Sequence, residues 1–132
     1  MKRRELLFTL FATMLGLPAL SFIKKVQIRP PRPVRIFKVL REGEYYIHDE
    51  FVLFETPSGP IAVSRHCTHL GCIVNFRDDE RHFLCPCHQS LFDWDGRYIR
   101  GPAKKDLPHF AVKRLKGGQE GYEVLMPRTR LS

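Results

Sequence analysis

Apolar residues follow two different patterns along this chain. One long stretch, apolar except for Thr9, Thr13 and Ser21, occupies residues 6–23, whereas from residue 34 onward the apolar residues come in short runs. The long stretch contains no charged residue, and its length lies near the lower limit of about 17–25 residues for a membrane-spanning helix. Because the core of a cleaved signal peptide is shorter, about 7–15 residues, we expect an uncleaved N-terminal transmembrane helix.

The short apolar runs have the length and spacing of β-strands. Residues of the turn-forming types glycine, proline and aspartate separate them. Strands are predicted over residues 34–40, 51–54, 61–63, 73–76, 82–84, 98–99, 110–115 and 122–125. This regular alternation of short strands and turns predicts an all-β fold, either a small β sandwich or a barrel.

A proline-rich segment separates the two patterns. Prolines at positions 30, 31 and 33 disfavour a helix and predict an extended tether. The predicted organisation is therefore an anchor or export signal over residues 1–23, a tether over 24–33, a β-sheet head over 34–127 and a tail over 128–132.

Composition narrows the classes of partner. The chain of 132 residues has a net charge of +8, which suits an anionic membrane surface or an acidic protein partner. The basic residues are spread along the chain and form no stripe interleaved with aromatic residues. We therefore expect no nucleic-acid binding.

Two short boxes carry the candidate chemistry. The first reads C-T-H-L-G-C over residues 67–72, and the second reads C-P-C-H-Q-S over residues 85–90. Each box holds two cysteines and one histidine, and each follows a predicted strand. The two boxes are thus expected to lie at one end of the sheet.

Three kinds of site can be weighed against this pattern. A Cys₂His₂ zinc site usually pairs like ligands at short spacing, and it leaves Cys72 and Cys87 without a purpose. A framework of two disulfides gives His69 and His88 no role. A 2Fe-2S cluster bound by two cysteines and two histidines accounts for the mixed boxes, and so we favour it.

Together with G-P-A at residues 101–103, the two boxes resemble the Rieske subunits of cytochrome bc and bf complexes. The resemblance covers residues 34–127. It implies a Rieske-type antiparallel β sandwich with a cluster-binding subdomain. It also implies that Cys67 and Cys85 bind the inner iron, that His69 and His88 bind the exposed iron, and that Cys72 and Cys87 form a disulfide.

The resemblance also assigns residues around the cluster. Ser90 would donate a hydrogen bond to a bridging sulfide, Leu70 would lie on the exposed tip, and Gly101 with Pro102 would belong to a proline-rich loop over the cluster. Phe92 stands where high-potential members carry a tyrosine, which implies a lower reduction potential. Gln89 replaces the glycine usual in bc-type subunits.

By this resemblance the chain is an electron-transfer subunit of a quinol–cytochrome c reductase. His88 and then His69 would meet the quinol, and b-type and c-type cytochromes would be the partner subunits. Arg3 and Arg4 resemble a twin-arginine export signal, which predicts a head on the outer side of the cytoplasmic membrane. The alternative is a small Rieske relay subunit of an exported molybdenum oxidoreductase similar to arsenite oxidase.

Overall fold

The computed structural model of the chain describes residues 2–25 and 30–128. These residues belong to two units, divided between Pro30 and Pro31. Part of the predicted tether, residues 26–29, and nearly all of the predicted tail, residues 129–132, lie outside the described residues.

The first unit contains one helix, α1, which extends over Arg3–Lys25. Its position agrees with the apolar stretch of the sequence. Within the described part of the chain, no helix combines the length and the apolar character that crossing a membrane requires. The prediction of a transmembrane helix is therefore not confirmed.

Over residues 31–128, the second unit is built from ten antiparallel strands in two sheets, in agreement with the predicted all-β head. A six-stranded sheet has the order β1-β10-β9-β4-β3-β2, and a four-stranded sheet has the order β5-β6-β7-β8. The strands are β1 (Arg32–Ile36), β2 (Tyr45–Ile47), β3 (Phe51–Thr56), β4 (Gly59–Ser64), β5 (Asn75–Arg77), β6 (His82–Leu84), β7 (Leu91–Asp93), β8 (Tyr98–Arg100), β9 (His109–Leu115) and β10 (Gly121–Met126).

Strand β3 lies between two hydrophobic cores. Its side chains alternate in direction, so Val52 and Phe54 enter one core while Phe51 and Leu53 enter the other. All four are buried, which is why the run is continuously apolar rather than alternating. The first core includes residues of both sheets and the two buried cysteines. The second core lies within the six-stranded sheet.

The six-stranded sheet curls around this second core. Strands β3 and β10 are separated by two strands in the sheet, yet the Tyr122 hydroxyl donates a hydrogen bond of 2.5 Å to the Glu55 carboxylate. Arg114 on β9 pairs with the same carboxylate. Tyr122 also accepts a hydrogen bond from the backbone N–H of Leu40, so polar contacts close the curled sheet.

Most predicted strands are present, and the differences are local. Strands β2 and β7 are absent from the predicted set. Strand β1 ends at Ile36 instead of continuing to residue 40. Leu40 is buried, and its N–H donates to the Tyr122 hydroxyl instead of to a neighbouring strand.

The head also begins earlier than the expected boundary at residue 34. Arg32 and Pro33 belong to β1 and pair with Met126 and Leu125 of β10. A proline lacks the N–H that a ladder needs, but β1 is an edge strand, where this donor is not required.

Candidate metal centre

The two cysteine–histidine boxes form loops with the same backbone hydrogen bonds. In the first loop, residues 67–72 between β4 and β5, the Cys67 N–H donates to the Cys72 carbonyl and the Gly71 N–H donates to the Cys67 carbonyl. The second loop consists of residues 85–90 between β6 and β7. There the Cys85 N–H donates to the Ser90 carbonyl, and the Gln89 N–H donates to the Cys85 carbonyl. The two loops are therefore equivalent turns that present equivalent positions.

The equivalence extends to backbone conformation. Gly71 has φ of +77°, and Gln89, at the same place in the second loop, has φ of +58°. Side chains other than glycine are disfavoured in this left-handed region. The second loop therefore holds a glutamine where its geometry suits glycine.

Two free thiols lie on the inner side of the loops. Cys67 and Cys85 are both buried in the first core, and neither forms a disulfide. Burial raises the pKa of the Cys67 thiol, and the neighbouring Cys85 raises it further, while the His69 backbone N–H and the Ser90 hydroxyl act in the opposite direction. The loops thus bring together two sulfur donors sheltered from water.

Two imidazoles lie on the outer side of the same loops. His69 and His88 are exposed, and their ring centroids are 4.9 Å apart with the planes nearly perpendicular. The structure therefore places two histidines, one from each loop, beside one another at the surface.

The remaining two cysteines join the loops. Cys72 and Cys87 form a disulfide, which is the pair that the resemblance implies. The sulfurs of Cys72, Cys85 and Cys87 lie within 4.8 Å of one another. Two of these three sulfurs are committed to the disulfide, so this group is not a second metal site.

A third segment, residues 101–105, packs against both loops; we call it the GPA segment. The Ala103 N–H donates to the Ser90 hydroxyl oxygen at 3.2 Å. The Thr68 hydroxyl donates to the Lys105 carbonyl at 2.8 Å, and the Tyr98 hydroxyl donates to the Gly101 carbonyl at 2.7 Å. Each loop therefore supplies one hydroxyl to the GPA segment, and β8 supplies a third.

The other expected residues around the site take distinct positions. Ser90 and Phe92 are fully buried, Ala103 is buried, and Pro102 is exposed. Leu70 is 70% exposed at the end of the first loop, as expected for a tip residue. Sequence reasoning missed Thr68 and Tyr98, because neither lies at ligand spacing and each donates to a backbone carbonyl, which no residue pattern marks.

The donor set fits a 2Fe-2S cluster with mixed ligands. Two buried thiols and two exposed imidazoles could supply sulfur for one iron and nitrogen for the other, the donor types that Rieske ligation requires. The disulfide removes Cys72 and Cys87 from the donor set. The fold and this site together define a class, the small iron–sulfur proteins with cysteine and histidine donors.

Comparison with known proteins identifies the family. Residues 32–111, which are more than half of the chain, match the family described as "Rieske [2Fe-2S] domain". The chain belongs to this family. Its cofactor is a Rieske-type 2Fe-2S cluster, and its role is electron transfer.

Several known proteins are similar to the chain. The chloroplastic cytochrome b6-f complex iron-sulfur subunit of Pisum sativum is 50% identical over 68 residues, which are 50% of this chain and 28% of that protein. The cytochrome b6-f complex iron-sulfur subunit of Parasynechococcus marenigrum is 39% identical over 59 residues, 43% of this chain and 33% of that protein. The chain thus aligns with about a third or less of the length of these relatives.

One solved structure is also similar, the cyanobacterial plasma membrane Rieske protein PetC3 from Synechocystis PCC 6803. The comparison has a TM-score of 0.43 and 33% sequence identity, and it covers 57% of this chain and 85% of that chain.

Proposed function

We propose that the chain is the iron–sulfur subunit of a quinol–cytochrome c oxidoreductase of the cytochrome bc type. The observation that carries the proposal is the pair of exposed imidazoles, His69 and His88, in front of two buried thiols. A buried electron carrier with solvent-facing ligands suits exchange with a diffusible partner. The relatives named as cytochrome b6-f subunits support the same complex type.

In this proposal Cys67 and Cys85 bind the inner iron, and His69 and His88 bind the outer iron. When bound, the cluster supplies a one-electron acceptor whose potential is raised by neutral imidazole ligands. The exposed ring of His88, with His69 as the second choice, accepts a hydrogen bond from the quinol hydroxyl and takes up its proton at a ring nitrogen. Leu70, beside them, supplies apolar contact to the same partner.

The remaining residues protect and tune the site. The Cys72–Cys87 disulfide holds the two loops together, while the first core excludes water from the two thiols. The buried Ser90 hydroxyl would donate a hydrogen bond to cluster sulfur, whereas the buried Phe92 has no hydroxyl to offer. We infer a potential below that of members with a tyrosine at the position of Phe92.

We also propose the surroundings of the subunit. Its partners are a b-type cytochrome, a c-type cytochrome and a quinol, and the head faces the outer side of the cytoplasmic membrane. Arg3 and Arg4 direct export of the folded head, and residues 26–31, between α1 and β1, act as a tether. A disulfide is consistent with such an oxidising compartment. Membrane attachment through residues 1–23 stays a prediction. Cell fractionation tests it by showing whether the full chain is found with the membranes.

Purification of the tagged chain from its native membranes tests this assignment. We expect a b-type cytochrome to copurify, together with quinol–cytochrome c reductase activity. A His88→Ala variant is expected to lose the activity at least a hundredfold. His82→Ala, a change of the same kind at the end of β6 opposite to the second loop, is expected to retain it. A large molybdopterin subunit in place of the cytochrome would instead identify the relay of an exported molybdenum oxidoreductase.

A further inference from the structure

Tyr98 lies behind the GPA segment and contacts it through one hydroxyl group. This hydroxyl donates a hydrogen bond of 2.7 Å to the Gly101 carbonyl. The ring itself is half-buried on β8, opposite Phe92 of β7, with the two ring centroids 6.4 Å apart. Because Phe92 is fully buried, the strand pair holds the Tyr98 ring in place. The tyrosine thus connects the four-stranded sheet to the start of the GPA segment.

Gly101, whose carbonyl is held by the Tyr98 hydroxyl, is packed directly on Ser90. Its φ is +106°, and a Cβ atom at this position would lie only 2.5 Å from Ser90 Cα and 2.9 Å from Ser90 Oγ. No other residue type fits between them. A shift of Gly101 therefore changes its packing against Ser90.

The segment then returns to the Ser90 side chain. The Ala103 N–H donates to Ser90 Oγ at 3.2 Å, and Ala103 is itself buried in the first core. A hydroxyl that accepts this bond keeps its own hydrogen for a different acceptor. Ser90 itself belongs to the second ligand loop, where its carbonyl accepts a hydrogen bond of 2.8 Å from the Cys85 N–H, so this fully buried serine is held beside a candidate ligand cysteine.

We propose that Tyr98 is a positioning residue that raises the reduction potential of the cluster. It acts through the Gly101 carbonyl and the Ala103 N–H on the orientation of the Ser90 hydroxyl. A hydrogen bond to sulfur stabilises the reduced, more negative cluster, so loss of this orientation lowers the potential. The proposal depends on the cluster site and is independent of which partner donates the electron.

A double-mutant cycle on the full-length, cluster-loaded chain tests the proposal. The reduction potential is titrated for the unmodified chain, Tyr98→Phe, Ser90→Ala and the double variant. We expect Tyr98→Phe to lower the potential when Ser90 is present and to produce no further shift when alanine replaces Ser90. An equal shift in both backgrounds, or no shift in either, would overturn the proposal.

Tyr46→Phe is the matched control for the loss of one tyrosine hydroxyl. Tyr46 is half-buried on β2 and packs against the second core, and its hydroxyl has no hydrogen bond among the residues that the structure describes. We expect the reduction potential of the Tyr46→Phe variant to equal that of the unmodified chain. A comparable shift in this control would mean that general loosening of the fold, rather than the GPA segment, controls the potential.

Hydrogen exchange gives a second readout that does not depend on redox chemistry. Loss of one hydrogen bond should increase exchange at the Ala103 amide about fivefold in Tyr98→Phe, as expected for a bond of typical strength. Hydrogen exchange in peptides from the second core should be the same in Tyr98→Phe as in the unmodified chain. Unaltered exchange over residues 98–107 would also overturn the proposal, because the GPA segment would then be held without Tyr98.

Discussion

At the scale of single residues, the two ligand loops differ at one position that their geometry makes equivalent. Gly71 and Gln89 both adopt positive φ, +77° and +58°, and both donate to the first cysteine carbonyl of their loop. Only glycine adopts this conformation without steric cost. Gln89 is exposed, so its side chain gains little packing in return. The second loop therefore carries local strain next to His88.

We predict that Gln89→Gly raises the free energy of unfolding by about 0.5–1 kcal/mol, because relief of left-handed strain exceeds the added flexibility of the unfolded chain. Chemical denaturation of the full chain measures this. Gln119→Gly is the control, since Gln119 is also exposed but is not among the residues with positive φ. A loss of stability in both variants would show that φ at Gln89 carries no strain.

At the scale of secondary-structure elements, a buried carboxylate joins strands that are not neighbours. Glu55 on β3 accepts hydrogen bonds from Tyr122 on β10 and Arg114 on β9. Burial alone would raise the pKa of the Glu55 carboxyl, but the hydrogen bonds from Arg114 and Tyr122 outweigh it and lower the pKa below the ordinary value of 4.5. The ionised form therefore stabilises the curled sheet.

We predict that Glu55→Gln lowers the free energy of unfolding by about 1.5–3 kcal/mol at pH 7, the usual range for hydrogen bonds to a charged group. A carboxyl with a lowered folded-state pKa contributes its stability above the unfolded value and loses it as pH falls through the folded value. The difference from the unmodified chain should therefore shrink below about pH 4.5.

Denaturation at pH 7 and at pH 3 provides the measurement. Glu120→Gln is the control, because Glu120 is exposed and forms no ion pair within the described part of the chain. A Glu55→Gln deficit that stays constant from pH 7 to pH 3 would contradict the assignment of the effect to the ionised carboxylate.

These contacts show where sequence reasoning ends. The strands β3, β4, β6, β9 and β10 could be predicted because their apolar runs are local patterns. The two boxes could be found because the spacing of their cysteines and histidines is also local. The contacts of Glu55 and Thr68 could not be predicted, because their partners lie 67 and 37 residues away and follow only from the fold. The contact of Tyr98 with Gly101 spans only 3 residues, but it depends on the direction of the tyrosine side chain, which no residue pattern marks.

At the scale of the whole head, the two sheets and the metal centre depend on one another. The first loop leaves the six-stranded sheet at β4 and enters the four-stranded sheet at β5, whereas the second loop lies within the four-stranded sheet. The disulfide and the GPA segment then join the two loops. The head thus presents an exposed pair of histidines on the same two loops as a buried pair of cysteines.

Redox titration of the purified, cluster-loaded chain over a range of pH, combined with EPR, tests the central claim most directly. We predict a Rieske-type EPR spectrum and a potential that falls at higher pH by about 59 mV per pH unit wherever one proton accompanies the electron. This result follows if His69 and His88 are ligands that lose protons in the oxidised state. A potential that stays flat from neutral to strongly alkaline pH would contradict both the histidine ligation and the proposed quinol reaction.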